Sequence, residues 1–63
     1  MTKAENDGDL LIGAAAIAKF LGITPRQVYR LAYDDVMPHF KLGGSVAARR
    51  STLTKWMIDL EKN

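Results

Sequence analysis

Gly22 and Pro25 stand three residues apart inside an otherwise helix-forming stretch, Ala14 to Tyr33, AAAIAKFLGITPRQVYRLAY. Together they forbid one continuous helix. Proline in a helix interior removes a hydrogen bond and clashes with the preceding turn, while glycine ends helices by adopting a left-handed conformation at little cost. The stretch therefore reads as two short helices, about 14–21 and 25–33, joined by a tight turn. The second helix has a well-specified start. Thr24 can cap it, Pro25 suits its first position, and Gln27 stands where a capping box needs a side-chain acceptor. Gly13 is the expected cap of the first helix. Ala14, Ile17, Ala18 and Leu21 follow an i, i+3, i+4, i+7 stripe, with Phe20 beside it. Ala18 is small enough for a second helix to cross closely, and Ile17, Leu21, Ile23, Val28 and Leu31 supply the shared core.

Downstream, Asp34 and Asp35 read as turn residues, because no third ligand or base stands at a spacing that metal or acid–base chemistry needs. Pro38 directs Met37 towards extended chain. A hairpin, or wing, follows over about 39–49, HFKL-GG-SVAAR. Its two glycines fit a two-residue turn, with Phe40 and Leu42 on one face and His39 and Lys41 on the other. Ala47 and Ala48 are poor strand formers in that second run. Ser51 is expected to cap a last helix, about 52–61, whose stripe is Leu53, Trp56, Met57 and Leu60, with Trp56 as core anchor and Ile58 off the stripe. Leu10, Leu11 and Ile12 form a short extended lead-in.

A 63-residue chain allows one domain at most, here 10–63, near the lower limit for an autonomous core. The first nine residues, MTKAENDGD, read as a flexible arm without the apolar region of a signal peptide. The chain has no cysteine, which excludes disulfides and cysteine zinc sites and agrees with a cytoplasmic location. No apolar run approaches the roughly 20 residues that span a membrane. One histidine, His39, and no nucleophile–base or metal-ligand spacing argue against an enzyme, and no cofactor or small-molecule ligand is expected. His39 reads as a surface residue at the base of the hairpin.

Net charge is only +2, but it is unevenly placed. From Lys19 to Lys55 seven basic residues face two acidic ones, whereas both ends of the chain are net negative. A basic middle suggests a polyanionic partner. On the second helix Arg26, Tyr29, Arg30 and Tyr33 share one side at i, i+3, i+4 and i+7, opposite Val28, Leu31 and Ala32. In isolation such a stripe is an ordinary solvated face. Combined with the short turn and the capped start, it reads as a surface for nucleic acid.

The segments AIAKFLGIT, PRQVYRL, the Met-Pro before the hairpin, KLGG and ARRSTLTKWM occur in an order that resembles the small winged helix-turn-helix proteins of the excisionase and MerR-like group. The resemblance covers about Leu10 to Leu60. It implies a mainly α fold with a small β-hairpin (α-α-β-β-α), a second helix in the DNA major groove and a wing on the neighbouring backbone. Carried onto this chain, the recognition-helix residues are Thr24, Pro25, Arg26, Gln27, Tyr29, Arg30 and Tyr33. Those of the wing are Lys41, Gly43, Gly44, Ser45, Arg49 and Arg50. Two places depart from the pattern: Ala14, Ala15 and Ala16 stand where an acidic residue is common, and Ala47 and Ala48 where wings carry larger or basic ones.

The function this implies is sequence-preferring binding of double-stranded DNA by a small phage or mobile-element regulator or excisionase-like factor. One such module buries only about 600–1,000 Å² on DNA, so repeated sites, self-association or a partner such as an integrase would be needed for tight binding. A small-terminase-like recognition module is a related reading, though the chain is short for an added oligomerisation domain. The reading from another class is a protein-interaction adaptor on the same scaffold without nucleic-acid binding.

Overall fold

A computed structural model describes residues 8–62. The elements are β1 (Leu10–Ile12), α1 (Ala14–Leu21), α2 (Pro25–Tyr33), β2 (Phe40–Leu42), β3 (Ser45–Arg49) and α3 (Arg50–Lys62). Three helices and one three-stranded antiparallel sheet make this an α/β arrangement, mainly helical, rather than three helices with a lone hairpin. The expected arm over residues 1–9 falls, up to residue 7, outside the described residues. No helix among the described residues is long and apolar enough to cross a membrane.

The helix pair forms for the local reasons its sequence contains. Gly22 closes α1 at φ 79°, ψ 28°, and its N–H donates to the Ala18 carbonyl at 2.7 Å. No atom lies within 4 Å of the space a Cβ would occupy there, so the need for glycine is conformational rather than steric. At the start of α2 the box is complete. Gln27 N donates to Thr24 Oγ1 at 3.2 Å, and Thr24 N donates to Gln27 Oε1 at 2.9 Å. At the far end Asp34 and Asp35 turn the chain, Asp35 taking a left-handed φ of 59° that aspartate tolerates better than most residues.

The lead-in Leu10–Ile12 is a full strand. It pairs with β3 (Leu10 opposite Arg49, Ile12 opposite Ala47), and β2 pairs with the other side of β3, so the sheet order is β1-β3-β2. Pairing residues share a face, which places Leu11, Ala48, Val46 and Lys41 on the helix side of the sheet. The opposite side carries Leu10, Ile12, Phe40 and Leu42, all exposed, around a fully buried Ala47. The two alanines judged poor for a strand thus occupy its most crowded position, the central strand, where small side chains are what the space admits. Of the turn glycines only Gly43 has a positive φ, 68°, the pattern of a type II′ rather than a type I′ turn.

The core joins Ile17 and Ala18 of α1, Val28 of α2, Leu11, Val46 and Ala48 of the sheet, and Leu53 of α3. Met37 completes it, one of the largest fully buried side chains. Its place before Pro38 had suggested only extended chain. The last helix differs from expectation in three ways. It begins at Arg50, directly from β3. Trp56 is only half-buried and Leu60 is exposed, so the anchor of α3 is Leu53, its one buried residue. Finally, Ser51 is not the cap but lies inside the first turn. The capping group is Asp9, whose Oδ1 accepts from Ser51 N at 2.9 Å and whose Oδ2 accepts from Ser51 Oγ at 3.2 Å. A carboxylate at a helix start satisfies free N–H groups and complements the helix dipole.

That contact holds the last residue of the expected arm in place and lowers the Asp9 pKa. The backbone hydrogen bond from Ser51 is the chief cause, outweighing partial desolvation, with help from the Ser51 hydroxyl and from Arg49 and Arg50. A depressed carboxyl stabilises the fold above its ordinary value of 3.8, and that stabilisation disappears as pH falls through the lower folded value. Asp9→Ala is therefore expected to melt below wild type at neutral pH, with the gap closing between about pH 5 and pH 2. Thermal melts followed by circular dichroism across that range check it. A gap that is constant with pH would show that the charge of Asp9 contributes nothing.

Candidate functional site

Helix α2 is amphipathic to an unusual degree for its length: Val28 is its one buried residue, while Arg26, Tyr29, Arg30 and Tyr33 are all exposed. Nine residues at about 1.5 Å rise give a rod of roughly 13 Å. Tyr33 is 89 % exposed and Tyr29 61 %, large aromatic areas left open among the described residues. Thr24 and Pro25 stand exposed at the start of this rod. Gln27 is also exposed, yet its Oε1 is committed to the capping box, so its contribution is first to the helix start and only its amide NH2 remains for another partner.

Between α2 and the β2–β3 hairpin lies an open cavity of about 700 Å³. Tyr29, Arg30 and Tyr33 line it from the helix, and Lys41, Gly44 and Ser45 from the hairpin. Lys41 reaches it because strand alternation turns it to the helix side, opposite Val46, whereas its neighbours Phe40 and Leu42 face away. His39, two residues earlier on the same side, joins the lining. The floor is formed by Gly13, Ala14 and Val46. Gly13 adopts φ 92°, ψ 150°, a conformation almost restricted to glycine, and its N–H donates to the Val46 carbonyl at 2.7 Å. The first turn of α1 is thereby tied to the central strand. None of the described residues lining this cavity is acidic.

The arginine pair is elsewhere. Arg49 is on the outer side of the sheet opposite Leu10, with its Nε 3.7 Å from Asp9 Oδ2, a solvent-exposed pair of small energetic worth. Arg50 turns towards α1, its guanidinium carbon 5.9 Å from the centre of the Phe20 ring. Neither lines the cavity beside α2. Gly43 stands exposed at the turn. The cationic groups brought together are thus Arg30 and Lys41, with Arg26 one helical turn before Arg30 on the same face of α2. His39 was missed as a member of this surface, and the signal was available: it stands directly before β2 and two residues from Lys41, the spacing that puts both on one side. The described residues contain no group of three His, Asp or Glu side chains arranged to hold a metal ion.

Chemically, such a surface can accept a polyanion with flat, partly apolar edges. Arginine and lysine neutralise charge, tyrosine offers a hydroxyl donor on an apolar ring, and the glycine–serine turn lets backbone approach closely. Comparison of the chain with protein-family models, curated proteins and solved structures gives no match.

Proposed function

We propose that this chain binds double-stranded DNA as a winged helix-turn-helix module of the excisionase or MerR-like kind, with α2 in the major groove and the β2–β3 hairpin against the adjacent backbone. The observation that carries the reading is the cavity in which Arg30, Tyr29 and Tyr33 of α2 meet Lys41, Gly44 and Ser45 of the hairpin, with no acidic residue among the described residues of its lining. An α-helix with its side chains is about 10–12 Å across and fits the major groove, about 12 Å wide. Arg26 and Arg30 reach guanine edges or phosphates, Tyr29 a phosphate or thymine methyl, and Lys41 a flanking phosphate. The biological role in this reading is that of a small regulator or recombination factor.

The test is a fluorescence-anisotropy titration of random duplex. With Arg26, Arg30 and Lys41 each on a phosphate, wild-type affinity falls about 40-fold between about 50 and 200 mM salt. For Arg26→Ala/Arg30→Ala, with one of the three left, the fall is about fourfold and affinity at low salt is lower throughout. Both arginines are exposed, so the variant keeps its circular dichroism spectrum. Absence of salt-sensitive binding by wild type, or an unchanged salt slope in the folded variant, overturns the reading. The adaptor alternative draws on the outer sheet face, where Leu10, Ile12, Phe40 and Leu42 are exposed together. It expects no duplex binding at either salt concentration.

A further inference from the structure

We infer that His39 is an additional phosphate contact of this surface, one that engages only as the imidazolium, so that DNA binding takes up a proton. The inference rests on the DNA-binding reading above and adds a residue that neither the helix stripe nor the hairpin tip contains.

The argument begins with the ring's orientation. His39 Nδ1 lies 2.7 Å from the carbonyl oxygen of Met37. A carbonyl can only accept, so Nδ1 carries the hydrogen and donates. Met37 is itself buried in the core, which makes this anchor a fixed one. The ring is half-buried, held at the base of the hairpin in the cavity shared with Arg30 and Lys41. With Nδ1 committed, the neutral ring presents a lone pair at Nε2. A phosphate oxygen has lone pairs only, so it meets repulsion there. Protonation at Nε2 turns the same atom into a charged N–H donor, the strong form of hydrogen bond to phosphate.

The surroundings set the direction of the coupling. The titratable or charged groups that share a cavity with His39 are Tyr29, Arg30 and Tyr33 of α2, Lys41 of β2 and, on the hairpin's other side, Arg49 of β3. Three are cations, and among the described residues of these linings none is a carboxylate. Bound phosphates neutralise the cations and supply the missing partner, so binding and protonation favour one another. Duplex affinity accordingly rises as pH falls.

The experiment measures wild type and His39→Gln against the same duplex at fixed moderate salt between about pH 5.5 and pH 8, with the salt slope taken at both ends. Wild type is expected to bind about five- to tenfold more tightly at the acid end, with a salt slope steeper there by about one counterion. His39→Gln, neutral at every pH, is expected to be flat and to match wild type at the alkaline end. The chain has one histidine, so its ring signals in a proton NMR spectrum are unambiguous, and adding duplex near neutral pH should move them towards the imidazolium position. Salt-sensitive binding that is flat with pH, or a pH slope that survives in His39→Gln, overturns the role of His39 and leaves the DNA-binding reading standing. No duplex binding at any pH overturns both.

Discussion

Leu53→Ala is expected to leave much of the protein unfolded at room temperature. Leu53 is fully buried and is the only residue of the thirteen-residue α3 to be so. A chain of 63 residues is held by roughly 3–9 kcal/mol in total. Truncating a buried leucine removes about 2–5 kcal/mol, the larger values where the site cannot collapse around the gap. Collapse is hindered here because the core cluster that Leu53 belongs to draws on four other elements, through Leu11, Ile17, Val28 and Val46. In a domain this small each kcal/mol shifts the melting temperature by about 4–8 °C, so a fall of at least about 10 °C is expected. Ile58→Ala, at a half-exposed position on the same helix, serves as control and should cost under about 0.5 kcal/mol. If Leu53→Ala melted within about 5 °C of wild type, the helix would be held by Trp56 and Met57 instead.

The second large effect tests what the hairpin alanines are for. Under the proposed winged reading, larger or basic residues would be expected at their positions, and the obvious engineering step is to introduce one with Ala48→Arg to strengthen DNA binding. It is expected to destroy the fold instead. Ala48 is 2 % exposed on the helix side of the central strand, inside the core cluster. A guanidinium there would sit among the apolar side chains of the described core, and the effective penalty for an unpaired buried ion is several kcal/mol, comparable with the whole stability of the domain. Loss of the cooperative thermal transition is the expected readout. A variant that kept its melting temperature and bound duplex more tightly would mean that Ala48 faces solvent, contrary to the sheet register.

The two predictions show where local sequence information ends. The helix pair was legible because every device that makes it acts within four residues: Gly22 on Ala18, Thr24 on Gln27, Pro25 on its own φ. The face of α2 followed from helical periodicity alone. What was not legible depends on contacts between distant parts of the chain. Three apolar residues become a strand only because β3 is there to pair with them. Met37 looks like loop until the turn after α2 folds it inward. Ser51 looks like a cap until Asp9, 42 positions earlier, takes that role. The arginine pair shows the same limit at the candidate site. Adjacent in sequence, Arg49 and Arg50 straddle a junction where strand alternation gives way to helical rotation, and they leave on different sides of the molecule.

The order β1-β3-β2 carries a kinetic consequence. Helices α1 and α2 are sequence neighbours and can dock after closing a very short loop. The pairing of Leu10 with Arg49 must close one of about 40 residues, at a greater entropic cost and with no local contact to offset it in advance. The strand nearest the start of the domain is therefore expected among the last elements to assemble and the first to open. Until it docks, β2 and β3 form a two-stranded hairpin of marginal stability, with the β1-facing backbone groups of Val46 and Ala48 unpaired. Native-state hydrogen exchange would then report two tiers: slow amides in the helix pair, and faster ones across the β1–β3 ladder that open together as a unit.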